Sequence, residues 1–283
     1  MRVRQQRNIW EKEAIVLNKP IAVIDSGVGG LTVVQELLRQ LPREEIVYFG
    51  DTARCPYGPR PQEEVRRFSY QMLDFLDQFE PKMIVIACNT ATAVILEELQ
   101  QINDKPVVGV IHPGVRAAIK ATVLGRIGVI GTQGTIASGL YEKALKQIHP
   151  HLYVKSLACP DFVPLVEQGE YQTGKTYEIV RRSLLPLLDE NLDTLVLGCT
   201  HYPILAPVIQ DVMGEDVKLI SSADETAREV STLLFHKNML SQKFERPEHL
   251  FFTSGDAEQF KRIAEAWLDM PVNVCQVSLA KQV

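Results

Sequence analysis

Two cysteines sit in matched settings, one in each half of the chain: Ala87-Cys88-Asn89-Thr90 and Gly198-Cys199-Thr200-His201. Each comes after a short, mostly apolar and β-branched run, Met83-Ile84-Val85-Ile86 and Thr194-Leu195-Val196-Leu197. Each also opens a stretch that reads as a helix. The pattern therefore puts each thiol at the C-terminal end of a strand, where open α/β sheets bind ligands, and beside a helix N-terminus, which favours a thiolate. One such thiol suggests a nucleophile. Two in symmetric positions suggest a pair of bases, or an acid and a base, working on opposite sides of one atom. A buried cysteine is usually a small hydrophobe, but both of these precede polar residues able to bind a ligand: Asn89 and Thr90, then Thr200 and His201.

Three further segments carry candidate chemistry. The turn Asp25-Ser26-Gly27-Val28-Gly29-Gly30 can present backbone N–H groups to an anion such as a carboxylate. It lacks the GxGxxG spacing of a dinucleotide site. Asp25 stands where it could orient an amine or polarise a thiol, or serve only the turn. The loop Gly50-Asp51-Thr52-Ala53-Arg54-Cys55-Pro56-Tyr57-Gly58 comes after a strand, and Tyr57 and Gly58 could close over a ligand. Cys55 has no matching motif and reads as structural, Cys159 before Pro160 as packing, and Cys275 has no polar cluster. His201 can act as acid, base or counter-ion to a thiolate, or merely face solvent at a helix start. Glu167, in Phe162-Val163-Pro164-Leu165-Val166-Glu167-Gln168-Gly169, is the acid nearest a loop-to-helix site; alone it reads as a solvated surface charge.

Composition narrows the classes. The chain has 283 residues, 46% hydrophobic and 23% charged, a soluble globular balance that suits one large domain or two ordinary ones. A net charge of −5 and a pI near 5.8 supply no global basic field for nucleic acid or anionic lipid. No window has the apolar length to cross a bilayer. The start Met1-Arg2-Val3-Arg4-Gln5-Gln6-Arg7 resembles a signal n-region, but Glu11, Lys12 and Glu13 leave no apolar h-region after it, so the cytoplasm is expected. Five cysteines make no disulfide framework. No CxxC or HxxxH pair supports zinc, and no lysine has a pyridoxal-phosphate setting, so neither metal nor cofactor is expected.

The elements that must position these residues alternate from Ile21 onward. Strands are predicted at Ile21–Asp25, Ile46–Phe49, Met83–Ala87, Val107–Ile111, Ile127–Ile130, Tyr153–Leu157, Thr194–Leu197, Val217–Ile220 and Leu250–Thr253. Helices are predicted at Leu31–Gln40, Gln62–Gln78, Thr90–Gln101, Ile136–Gln147, Phe162–Glu167, Thr176–Leu188, Glu225–Phe235 and Ala257–Leu268, with another after Cys199. This is an α/β chain with mainly parallel sheets. Asp25-Ser26-Gly27-Val28-Gly29-Gly30 aligns with Gly131-Thr132-Gln133-Gly134-Thr135, and each cysteine lies at a similar separation beyond its turn. Two pseudo-repeated, doubly wound domains with a cleft between them account for that best.

At these residues the chain resembles the glutamate racemase family, within the aspartate/glutamate racemase superfamily. The resemblance runs from about Ile21 to Ile220 on IDSGVGGLTV, GDTARCPYG, ACNTATA, GVIHPG, GTQGT, CPDFVPLVE and GCTHYP. Together these motifs are highly specific. The resemblance implies a cofactor-independent enzyme interconverting L- and D-glutamate, supplying D-glutamate for peptidoglycan. Cys88 would be the base for D-glutamate and Cys199 for L-glutamate. Asp25, Ser26, Tyr57, Gly58, Asn89, Thr90, Thr200 and His201 would bind substrate, with Thr132 and Thr135 near the site; Asp25, Glu167 and His201 would assist proton movement. It further implies a homodimer with a discontinuous first domain: 20–113 with 222–283, around a second domain 114–221. Residues 1–19 match no motif and stand as an extension. Two other readings remain open from the sequence: racemisation of another acidic amino acid such as aspartate, and a non-catalytic two-lobe binding or thiol redox protein.

Overall fold

A computed structural model describes residues 17–171 and 173–279; most of the expected extension 1–19 lies outside the described residues. The chain begins β1 (Ile21–Asp25), α1 (Leu31–Gln40), β2 (Ile46–Gly50), α2 (Gln62–Asp77), β3 (Met83–Ile86), α3 (Asn89–Ile102) and β4 (Val107–Gly109). It continues α4 (Ile111–Ala121), β5 (Arg126–Gly131), α5 (Gln133–Ala137), α6 (Leu140–Ile148), β6 (Tyr153–Ala158), α7 (Phe162–Glu167), α8 (Gly174–Leu188) and β7 (Thr194–Gly198). Last come α9 (Ala206–Met213), β8 (Lys218–Ser221), α10 (Ala223–His236), β9 (Leu250–Thr253), α11 (Ala257–Leu268) and β10 (Asn273–Gln276).

The strands make two sheets, ordered β10-β9-β2-β1-β3-β4 and β6-β5-β7-β8. Every pairing is parallel. The runs β2-β1-β3-β4 and β6-β5-β7-β8 share one order, which gives the repeat read from the turns its structural form. In each sheet the chain first winds to one side of the opening strand and then returns on the other. Switch points therefore lie between β1 and β3 and between β5 and β7, where crevices open at the C-terminal strand ends. The segments leaving those strands carry Asp25–Gly30, Cys88, Thr132 and Cys199.

Helices cover both faces of each sheet, so β1, β2, β3 and β7 are buried at every residue. Alternate side chains serve opposite cores. In the first sheet Ile21, Val23 and Val85 meet Val34 and Leu37 of α1, Val230 of α10 and Phe260 of α11. On the other face Ala22, Ile24 and Ile86 meet Val65 and Met72 of α2 and Ile95 of α3. In the second sheet Ile130, Leu195 and Leu197 face Val180 and Leu184 of α8 and Ile209 of α9. Ile127, Val129 and Val196 face Val115 and Ala118 of α4 and Leu145 of α6.

Three elements differ from expectation. The strand predicted at Val107–Ile111 ends at Gly109, and Ile111 begins α4. That helix was hidden by His112-Pro113-Gly114, yet Pro113 sits in its first turn, where a missing N–H costs no intrahelical bond. The helix predicted at Ile136–Gln147 is two, because Gly139 turns left-handed at φ 65° between α5 and α6. β10 escaped notice because it is an edge strand with little apolar alternation.

The strand that delivers Cys88 is anchored at its start by a buried ion pair. Lys82 Nζ lies 2.6 Å from Glu44 Oε2, with side chains 0% and 2% exposed. The ammonium also donates to the carbonyls of Leu17 (2.6 Å) and Met239 (2.7 Å), and Glu44 Oε1 accepts from Ser241 N (2.7 Å). Burial holds the Lys82 pKa below its ordinary value, although Glu44 opposes that shift. Removing one charge strands the other in the interior. Lys82→Met should therefore lower unfolding stability by about 3 kcal/mol in urea titration, and adding Glu44→Leu should restore part of it. A Lys82→Met protein as stable as the parent would show that the pair anchors nothing.

Candidate active site

Cys88 links β3 to α3 as the N-cap residue, its sulfur accepting from Ala91 N at 3.4 Å. The thiol also donates to Ser26 Oγ, 3.6 Å away in the turn after β1. The helix end was expected to favour the thiolate. Its amide does pull that way, but burial, reinforced by the Asp25 charge, pushes the Cys88 thiol up to about 12. Desolvation wins, and Cys88 rests as a neutral thiol.

Cys199 is held differently, which corrects the expectation of two like helix starts. After β7 the chain makes a turn and a short 3-10 segment, Tyr202–Leu205, before α9 begins at Ala206. The partner of Cys199 is instead His201, whose Nδ1 lies 3.8 Å from the sulfur. The other ring nitrogen, Nε2, donates to Glu167 Oε1 at 2.6 Å. Burial alone would hold His201 neutral, yet bonds to Cys199, Cys55 and Glu167 raise its pKa well above the ordinary range. Burial likewise opposes ionisation of Glu167, but the bonds from His201 and Cys55 hold its pKa below the usual value. The result is a thiol, an imidazolium and a carboxylate in line. Glu167, read from the sequence as the acid nearest the site, takes its place through α7.

The glycine-rich turn makes room for this line. A Cβ on Gly29 would stand 2.4 Å from His201 Nδ1 and 2.5 Å from Thr200 Oγ1. One on Gly27 would stand 2.8 Å from Glu167 Oε1 and 3.0 Å from Cys55 Sγ. A side chain at either position would have to displace these groups. The turn was expected to offer its N–H groups to a ligand anion, but three of them serve the protein's own carboxylates. Gly27 N donates to Asp25 Oδ2 at 2.9 Å, and Val28 N bonds Glu167. Asp25 is fully buried, and burial raises its pKa although His201 and the amides of Gly27 and Gly30 oppose the rise.

Contacts from one sheet's loops to the other's draw the remaining candidates together. Thr200 Oγ1 donates to Asp25 Oδ1 at 3.3 Å. Thr90 Oγ1 lies 2.8 Å from Thr132 Oγ1 and 3.3 Å from Thr135 Oγ1. Gly58 presses on Thr132 so closely that a Cβ would come within 2.5 Å of it, and its carbonyl accepts from Gly134 N at 2.9 Å. Asn89 Oδ1 accepts from Tyr141 Oη at 2.8 Å, leaving the buried Nδ2 without a protein acceptor among the described residues. That amide is poised to donate to a ligand. Tyr57 is placed less directly than expected, for its hydroxyl donates to Asp51 and its ring packs in the core.

Two residues of the site were missed from the sequence. Tyr141 fixes Asn89 from the far sheet, and no local pattern marks it. Cys55, read as structural, donates its thiol to Glu167 at 3.5 Å. Its motif was visible, but nothing local ties it to a glutamate 112 positions away. The cysteine, Glu167 and His201 offer three ligating atoms within 4.8 Å of one another, a cluster that no CxxC or HxxxH spacing could reveal.

The profile of the Asp/Glu/Hydantoin racemase family matches residues 21–230. The chain belongs to that family. It is 58% identical to the glutamate racemase of Bacillus cereus over 267 residues, 94% of this chain and 99% of the relative. The crystal structure of a glutamate racemase isoform from Bacillus anthracis superposes with a TM-score of 0.89 at 53% identity, over 92% of this chain and 98% of that one. Glutamate racemase from Francisella tularensis, crystallised in complex with D-glutamate, superposes with a TM-score of 0.86 at 36% identity over 93% and 98%.

The packing on Gly29 gives a direct test. Gly29→Ala should push His201 away from Cys199 and lower its NMR titration midpoint, because one of the bonds that hold it up against burial is then lost. A midpoint unmoved in a folded Gly29→Ala protein would show that the turn does not seat the imidazole.

Proposed function

We propose that the chain is a cofactor-independent glutamate racemase in which Cys88 and Cys199 exchange protons with opposite faces of the α-carbon. The observation that carries this reading is the placement of one buried thiol at each sheet's switch point, near enough that charge on Cys199 raises the pKa of Cys88. The relatives named above are glutamate racemases, one of them holding D-glutamate, which supports glutamate over aspartate as substrate.

In the L-to-D direction the Cys199 thiolate, hydrogen-bonded by His201, takes the α-proton while Cys88 delivers its thiol proton to the opposite face. The electron pair passes through the substrate carboxylate and returns to carbon with inverted configuration. Reversal exchanges the two roles. The substrate ammonium has a natural site beside Asp25, where its charge offsets the desolvation that keeps Cys88 neutral. Asn89 Nδ2, Thr90 and Thr200 supply donors for the carboxylates, and Ser26, Thr132 and Thr135 complete the polar wall. Glu167 holds the imidazolium that serves Cys199.

We also propose the division into 20–113 with 222–283 and 114–221; α4, which contributes Ile111 and Val115 to the second sheet's core, straddles the first crossing. The family resemblance supports a homodimer that works in the cytoplasm and supplies D-glutamate for peptidoglycan. Among the described residues no helix is long and apolar enough to cross a membrane.

Two kinds of measurement test the chemistry. Without added cofactor, the protein should place deuterium from D₂O on the α-carbon of either glutamate enantiomer. Cys88→Ser and Cys199→Ser should each lose racemisation by roughly 10²–10⁴-fold while substrate affinity changes far less. Near-normal turnover by either variant would rule out paired thiol bases. The second concerns pH. Because the Cys88 thiol lies far above neutrality, its thiolate fraction grows with pH, so kcat/KM for D-glutamate should climb from mildly acidic to mildly alkaline solution. A flat profile over that range would remove Cys88 as the base in this direction.

A further inference from the structure

A cavity of about 460 Å³ opens against the back of the site. Its lining includes Cys55 and Glu167 together with Val28, Pro56, Gln259 and Phe260, and neither Cys88 nor Cys199 belongs to it. The first two of these residues belong, with His201, to the three-donor cluster, whose ligating atoms lie within 4.8 Å of one another. We propose that Cys55, Glu167 and His201 form an inhibitory site for a thiophilic divalent cation of the zinc class, reached through this cavity rather than past the paired cysteines.

The donor set is one such cations prefer: a thiolate, an imidazole and a carboxylate, with a fourth position open to water as in sites that are not fully closed by protein. Ligand bonds of about 2.0–2.3 Å around a tetrahedral ion set its donors roughly 3.3–3.7 Å apart. Cys55 Sγ and Glu167 Oε1 already stand 3.5 Å apart. His201 Nε2 and Glu167 Oε1, now hydrogen-bonded at 2.6 Å, need only part to admit the ion. Space exists because Gly27 lacks the Cβ that would fill it, at 2.8 Å from Glu167 Oε1 and 3.0 Å from Cys55 Sγ. Coordination replaces two protons, one from the Cys55 thiol and one from His201 Nε2, and both leave to solvent. With Nε2 bound to a cation, His201 loses its link to Glu167 and no longer serves Cys199 as an imidazolium. That inhibitory consequence rests on the role proposed for His201; cation binding does not.

The test uses the full chain without substrate. Titration with Co²⁺, a spectroscopic stand-in for Zn²⁺, should produce a thiolate-to-metal charge-transfer band that saturates at one equivalent. Competing Zn²⁺ should abolish the band. Cys55→Ala should remove it and Glu167→Gln should weaken it. Cys88→Ser, Cys199→Ser and Cys275→Ser should all retain it. With the parent chain, one equivalent of Zn²⁺ should suppress racemisation and a chelator should restore it. Co²⁺ binding without the band, or a band lost in Cys88→Ser or Cys199→Ser and kept in Cys55→Ala, would overturn the site. Because the band is read without turnover, a failed cation site and a failed racemase assignment give different results.

Discussion

A single buried imidazole, gripped by a carboxylate on one nitrogen and a thiol on the other, is the interaction on which the site turns. His201 has almost no solvent contact, and an isolated cation there would be expelled by desolvation. It is held charged because Glu167 from α7 accepts from Nε2 and Cys199 faces Nδ1. Breaking either link leaves a charge in the interior with no water to replace it. Cys199 and His201 come from the segment after β7 and Glu167 from the end of α7, and the turn after β1 leaves the room they need, so the line exists only when all three segments are in place.

The two thiols, alike in sequence, are unlike in environment. Cys88 caps a helix but is overruled by burial and by the Asp25 carboxylate, and it rests protonated. Cys199 has no helix start beside it and relies on His201. Two thiols in unlike surroundings suit the proposed reaction, in which one proton arrives as another leaves.

Glycine is as much a part of this machinery as any titratable group. The side chains that carry charge can converge because Gly27 and Gly29 offer backbone and nothing more. The same turn donates N–H groups to Asp25 and Glu167, so its polarity goes to the protein's own anions first. A turn read as a ligand cradle is therefore also the floor on which the line of Cys199, His201 and Glu167 is built.

The sequence by itself determined the alternation of strands and helices, the parallel sheets and the placing of Cys88 and Cys199 at strand ends, because local periodicity and turn residues encode these directly. Leu31–Gln40, Phe162–Glu167 and Ala257–Leu268 fall where their patterns put them. Local pattern failed where its rules have exceptions: a proline in a helix's first turn concealed α4, and an exposed edge concealed β10. Tertiary structure alone decided which polar groups meet. Tyr141 reaches Asn89 and Cys55 reaches Glu167 through pairings that no motif on either side announces. It also decided the charge states, since a thiol's ionisation depends on burial and on neighbours brought from other segments, and neither is written in the residues beside it.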